Sequence, residues 1–131
     1  MKITPWIFVT GSVVCFLAVS LGAFGAHAFE QLLTEYDRLA TYDTASSYHF
    51  FHGFALLLLS LVNEPKHLHK TKLIVAWCFI IGTFIFSGSL YLLSLTNIGF
   101  LGAITPIGGL LILLAWLGMI KIGLIWNKIN C

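Results

Sequence analysis

Three histidines, His27, His49 and His52, are the side chains of this chain best suited to chemistry. Imidazole titrates near neutral pH, and its two nitrogens can donate or accept a hydrogen bond. His49 and His52 stand at i and i+3, so a helix holding them puts both rings on one face. Three chemistries are open. The rings can bond serines or carbonyls across helices and fix their register. They can relay a proton or an ion. They can ligate a metal with His27 as third member, although no carboxylate or thiol is well placed beside them and Glu30 would have to fold inward. His67 and His69 lie among lysines, where contact with anionic headgroups is the natural role. The sequence holds no nucleophile elbow, phosphate loop, zincin helix or intramembrane carboxylate pair, so neither catalytic residues nor a cofactor are expected.

The elements that position these side chains follow from composition. The 131 residues are 59% hydrophobic and 9% charged, against roughly 25% charged in soluble domains, and mean hydropathy is +0.96. A small water-soluble core cannot hide that much apolar surface. A soluble enzyme, a disordered tail and a disulfide-stapled module are excluded. The net charge of +2 and the lack of a basic stripe exclude nucleic acid as a partner. Cys15, Cys78 and Cys131 form no framework, and the first two read as small core hydrophobes.

The expected fold is all-α: one integral membrane domain over 1–131, a four-helix transmembrane bundle with spans near 4–26, 44–62, 72–95 and 105–126. Six basic residues (Lys2, Lys66, Lys70, Lys72, Lys121 and Lys128) fall on one side and Arg38 alone on the other, which places both termini in the cytoplasm. Trp6, Trp77 and Trp126 fit the cytoplasmic interface, and Tyr36, Tyr42, Tyr48 and Tyr91 lie toward the outer one. A cleaved signal ending at Ala26-His27-Ala28 is the rival reading, and it would leave three spans. Phe29, Leu32, Leu33, Tyr36 and Leu39 recur at helical spacing, which predicts a short amphipathic helix on the outer surface between spans one and two. Thr105 is expected to cap the fourth span with Pro106 in its first turn, leaving 96–104 as a tight outer turn.

Length arithmetic sets the depth of the polar groups. The apolar run from Phe50 to Val62 rises only ~18 Å, too short to cross ~30 Å of hydrocarbon. Pro65 and Glu64 fix its inner end, so the helix must reach back to about Asp43. That draws Tyr48, His49 and His52 into the bilayer. The same count puts Ser20, Ser87 and Ser89 in its outer half, with His27 and Tyr91 above them. A polar pocket of Ser20, Gly22, His27, Tyr48, His49, His52, Ser87, Gly88, Ser89 and Tyr91 is expected, since polar side chains in hydrocarbon turn inward to partners. Ala18, Gly22 and Ala26 form a small-xxx-small face for helix approach.

Four blocks then form a pattern: Leu21-Gly22-Ala23-Phe24-Gly25-Ala26-His27-Ala28, Tyr48-His49-Phe50-Phe51-His52, Phe86-Ser87-Gly88-Ser89-Leu90-Tyr91 and Ile104-Thr105-Pro106-Ile107-Gly108-Gly109. In that order they resemble the YgdD family of small bacterial inner-membrane proteins. The resemblance implies four crossings, an uncleaved first span, an inner-membrane location and no assigned activity. It also implies that glutamine can stand at the position of His49. The expected function is a non-enzymatic membrane component that binds a lipid-like or protein partner, or a second copy, through the outer-half pocket. The alternative is a proton- or ion-coupled transporter using the histidines, which at this length would need to oligomerise.

Overall fold

The computed structural model describes residues 3–63 and 65–130, with side chains to Ile125. Lys2, Glu64, Cys131 and the side chains of Trp126 and Lys128 lie outside the described residues, with the readings that rest on them. Five α-helices follow one another: α1 (Pro5–Ala26), α2 (Glu30–Glu35), α3 (Leu39–Leu61), α4 (His69–Thr96) and α5 (Thr105–Asn130). Single 3-10 segments, Lys66–Leu68 and Gly99–Ala103, lead into α4 and α5. Among the described residues there is no strand. The stretches Pro5–Ala26, Lys66–Thr96 and Gly99–Ile125 are long and apolar enough to cross a membrane. Large apolar side chains such as Phe16 and Phe84 point outward, 70% and 79% exposed.

α3 packs between α1 and α4, and α5 packs on α4, while α1 and α4 barely meet. The long helices therefore form a curved row in the order α1, α3, α4, α5. Glycine sets the spacing and shows the direction. A Cβ at Gly11 would lie 3.0 Å from the Gly53 carbonyl oxygen, and one at Gly25 would meet the Tyr42 ring, so α1 and α3 run antiparallel. Gly108 sits on the Phe86 backbone and Gly118 on Val75, so α4 and α5 do too. The expected face of Ala18, Gly22 and Ala26 is only half right. Gly11, Ala18 and Gly25 are buried, whereas Ala26 is exposed. Seven-residue spacing keeps residues on the seam between two packed helices; four-residue spacing drifts off it.

Both ends of the row are tied by polar clasps. At one end Lys72 is buried, and its Nζ donates to Thr4 Oγ1 at 2.7 Å and to the Val62 carbonyl at 2.6 Å. It joins the start of α1, the end of α3 and the start of α4, and puts a cation on the C-terminal carbonyls of α3. Lys72 is thus a buried clasp inside α4. At the other end Arg38 Nε donates to Asn97 Oδ1 at 3.0 Å. Asn97 has φ 54° and closes α4 in the left-handed conformation that asparagine tolerates.

Three sequence expectations are corrected here. α3 begins at Leu39 rather than near residue 44, so it is 23 residues long. The segment from Phe29 to Thr44 is not one helix: it ends α2 at Glu35, turns through Asp37 at φ 54°, and continues as the first turns of α3. Leu33 and Tyr42, one on each side of that turn, share a buried cluster with Ala45 and Tyr91, and this packing folds the segment back on the bundle. Thr105 is the first residue of α5 and its hydroxyl pairs with Ser89 Oγ at 2.8 Å, in place of the expected N-cap role.

Candidate functional site

Helical hydroxyls in an apolar setting usually donate to a carbonyl of their own preceding turn. Ser12, Ser20, Thr44, Ser94 and Thr96 all do so here. Thr83 and Ser87 do not. They are 4% and 2% exposed, and neither hydroxyl has a partner. The two sit at i and i+4 on one face of α4. An unpaired buried hydroxyl costs about 1–3 kcal/mol, so two on one helix face are a costly arrangement unless something else bonds them.

Both line a cleft of about 320 Å³ in the half of the bundle toward Asn97. Because α1 and α4 barely meet, Val14, Leu17 and Leu21 of α1 face Ile80, Phe84 and Gly88 of α4 across a gap, with α3 at its back. The remaining polar lining is His49 and Tyr91, whose Nδ1 and hydroxyl lie 3.4 Å apart. No Lys, Arg, Asp or Glu lines the cleft. It is an apolar slot with four hydrogen-bonding side chains.

The other expected pocket members lie elsewhere. His52 faces the α4 and α5 side. Its Nδ1 donates to the Tyr48 carbonyl at 2.7 Å, and its Nε2 accepts from Trp116 Nε1 at 3.3 Å. That is the bonding pattern of a neutral imidazole with both nitrogens in use. Ser89 pairs with Thr105 and also donates to the Phe86 carbonyl at 3.0 Å. Tyr48 is exposed and stacks on Phe86, centroids 4.6 Å apart. Ser20 satisfies itself on the Phe16 carbonyl, and Gly22 borders a separate shallow groove with Ser46 and Phe50. His27 is exposed at the end of α1. Among the described residues no group of three His, Cys, Asp or Glu could hold a metal ion, so His27, His49 and His52 do not form such a site.

Two residues escaped the sequence reading. Thr83 could have been found, because it stands one helical turn before Ser87. Trp116 carried no signal as the partner of His52, since nothing in the sequence fixes how α5 is rotated. A Thr83→Val variant tests the unpaired hydroxyl. It keeps the shape and removes the donor, so thermal unfolding of delipidated protein should show unchanged or higher stability, by about 1 kcal/mol. A loss of more than that would mean the hydroxyl already has a partner.

Comparison with known proteins places the chain. A family model described as "Protein of unknown function (DUF423)" matches residues 21–109. A UPF0382 membrane protein of Staphylococcus saprophyticus is 39% identical over 115 residues, covering 88% of this chain and 92% of that protein. The chain belongs to the DUF423 family. A second UPF0382 membrane protein, from Staphylococcus epidermidis, is 37% identical over 112 residues, covering 86% of this chain and 89% of its own. The UPF0382 membrane protein YwdK of Bacillus subtilis is 36% identical over 109 residues, covering 83% and 88%. No solved structure matches. The assignment to a YgdD family is thereby corrected: the four blocks that suggested it all lie within residues 21–109, and the family that matches there is DUF423. The protein is a multi-span membrane protein of a family of unknown function, and its relatives named membrane proteins are bacterial.

Proposed function

We propose that this DUF423 protein is a single four-crossing domain of the bacterial inner membrane that holds one lipid-like molecule in the cleft between α1 and α4. The observation that carries the reading is the pairing of apolar walls with two buried, unpartnered hydroxyls. An acyl or isoprenoid chain satisfies the walls, and its polar end satisfies Thr83 and Ser87. The opening between α1 and α4 faces lipid, so such a molecule enters from the bilayer.

The fourth crossing is supported by packing. α3 rises ~34 Å, more than the ~30 Å of a hydrocarbon core. It lies antiparallel along α1 and between two apolar helices, which supports the same depth for it. Lys66, Lys70, Lys72 and Lys121 collect at one end of the row, while Arg38 stands at the other with Glu30, Glu35, Asp37 and Asp43. The lysine end is cytoplasmic by the positive-inside rule, and so are both termini. The cleft then opens in the outer half. The segment Glu30–Glu35 is the short outer helix, with its acidic side in water and Leu33 in the bundle.

Two experiments test the reading. On a background lacking the native cysteines, a membrane-impermeant maleimide should label Gln31→Cys and Phe100→Cys in spheroplasts, and His67→Cys only after lysis. Labelling of Gln31→Cys and His67→Cys from one side, with Phe100→Cys reached only from the other, would remove α3 as a crossing. Native mass spectrometry of protein released from its own membrane should show one retained lipid mass. Gly88→Leu should abolish that mass, because nothing lies within 4 Å of a Cβ at Gly88 and the larger side chain can occupy the cleft without unfolding the bundle. Equal lipid retention by Gly88→Leu would sink the cleft as the site.

A further inference from the structure

We infer that the cleft selects an uncharged lipid carbonyl, whose oxygen accepts hydrogen bonds from both Thr83 and Ser87. The inference rests on the cleft being a lipid site and adds the chemistry it reads. Residues at i and i+4 of a helix hold their Cβ atoms about 5–6 Å apart, a span that one acceptor oxygen bridges with two ordinary O–H···O bonds of about 2.7–2.8 Å. Both hydroxyls are buried and without partners, so both are free to donate. His49 and Tyr91 face each other, so the unpartnered hydroxyl pair open to a ligand is Thr83 and Ser87.

Charge then narrows the ligand. No Lys or Arg lines the cleft, and its one imidazole, His49, faces Tyr91, so a phosphate or a carboxylate placed there would have no fixed cation beside it. No Asp or Glu lines it either, so an ammonium has no counter-ion. A neutral acceptor remains. The volume, about 320 Å³, is at the small end of the ≈300–1,000 Å³ usual for small-molecule sites, which suits one chain rather than two. The open space at Gly88, next to Ser87, leaves room for the group that carries the carbonyl. Two membrane sources supply that chemistry: the ester carbonyl of a glycerolipid and the ring carbonyl of an isoprenoid quinone.

The test titrates delipidated protein in detergent with three probes, read by native mass spectrometry. They are monoolein, the ether-linked glycerol of the same chain, which lacks the carbonyl, and decylubiquinone. A carbonyl probe should bind one per protein, and the ether about tenfold more weakly than monoolein, the effect of losing two ordinary hydrogen bonds. In the Thr83→Val/Ser87→Ala double variant, ester and ether should bind alike. Preference for monoolein over decylubiquinone assigns the source as a glycerolipid, and the reverse assigns a quinone. Decylubiquinone bound with monoolein excluded also supports the carbonyl, provided the double variant weakens it about tenfold. Equal binding of ester and ether to the wild-type protein, abolished for both by Gly88→Leu, overturns the carbonyl and leaves the cleft reading standing. No saturable binding of any probe overturns both. The wild-type comparison of ester with ether decides the matter even if the double variant does not fold.

Discussion

Gly108→Ala should lower the stability of the detergent-solubilised protein by about 3 kcal/mol, the upper part of the range for overpacking. The reason is what the new methyl group would touch. A Cβ at Gly108 would fall on the backbone nitrogen and Cα of Phe86 and the carbonyl oxygen of Gly82. A flexible side chain could swing away; a helix backbone cannot, so α4 and α5 must separate along their shared length. Close approach through small residues is a main source of helix association in lipid, where no hydrophobic driving force acts between helices. Gly123→Ala is the matched control. Nothing lies within 4 Å of a Cβ there, so that variant should be neutral or gain up to about 1 kcal/mol from helix propensity. The comparison is made by thermal unfolding of both variants in the same detergent. Similar behaviour would show that α4 and α5 do not pack through Gly108.

His52→Ala should cost about 2–4 kcal/mol, from the cavity it leaves and from the indole N–H it strands. His52 is buried against Phe79 and Trp116, with ring centroids 5.7 and 6.2 Å away. It holds α3 to α5 by accepting from Trp116, while its other nitrogen is anchored on its own helix at the Tyr48 carbonyl. The double variant His52→Ala/Trp116→Phe separates the two parts. It should recover about 1 kcal/mol relative to additivity, because no donor is then stranded. Lipid retention in the cleft should survive His52→Ala at a temperature where the variant is folded, since His52 does not line it. Loss of lipid from folded His52→Ala protein would mean that the histidines act as one unit.

Depth was legible in the sequence and rotation was not. Counting residues from Pro65 puts His49 at the height of Ser87 and below Tyr91, and these three do meet in one cleft. The count says nothing about azimuth. So Ser89, two residues from Ser87, was grouped with it, although at 100° per residue it points to α5 and Thr105. His52 was grouped with His49 for the i, i+3 spacing, yet the turn between them takes it to Trp116. Thr83 is a single polar residue in an apolar run, but its spacing from Ser87 puts the two hydroxyls on one helix face. The break at Asp37 was invisible because the helical spacing of apolar residues continues through it. What overrides that periodicity is tertiary: Leu33 and Tyr42 close on Tyr91. Tyr42 and Tyr91 lie edge to face at 4.9 Å, and Tyr42 donates to the Leu21 carbonyl at 2.7 Å. Leu21 and Tyr91, which pack in that cluster, also line the cleft, so the turn at Asp37 helps to shape the site.

The two polar clasps explain why so few charges suffice. Lys72 and Arg38 are placed where helix ends expose carbonyls or an asparagine side chain. Each ties elements distant in sequence at one end of the helix row, while the middle is left to glycine packing and a handful of hydrogen bonds.

The most direct test of the account is a crystal structure grown from a lipid phase containing the protein's own membrane extract. Elongated density should run between α1 and α4 and end within hydrogen-bond distance of Thr83 and Ser87. A cleft closed by Leu17 and Phe84, with both hydroxyls turned back onto carbonyls of α4, would contradict it.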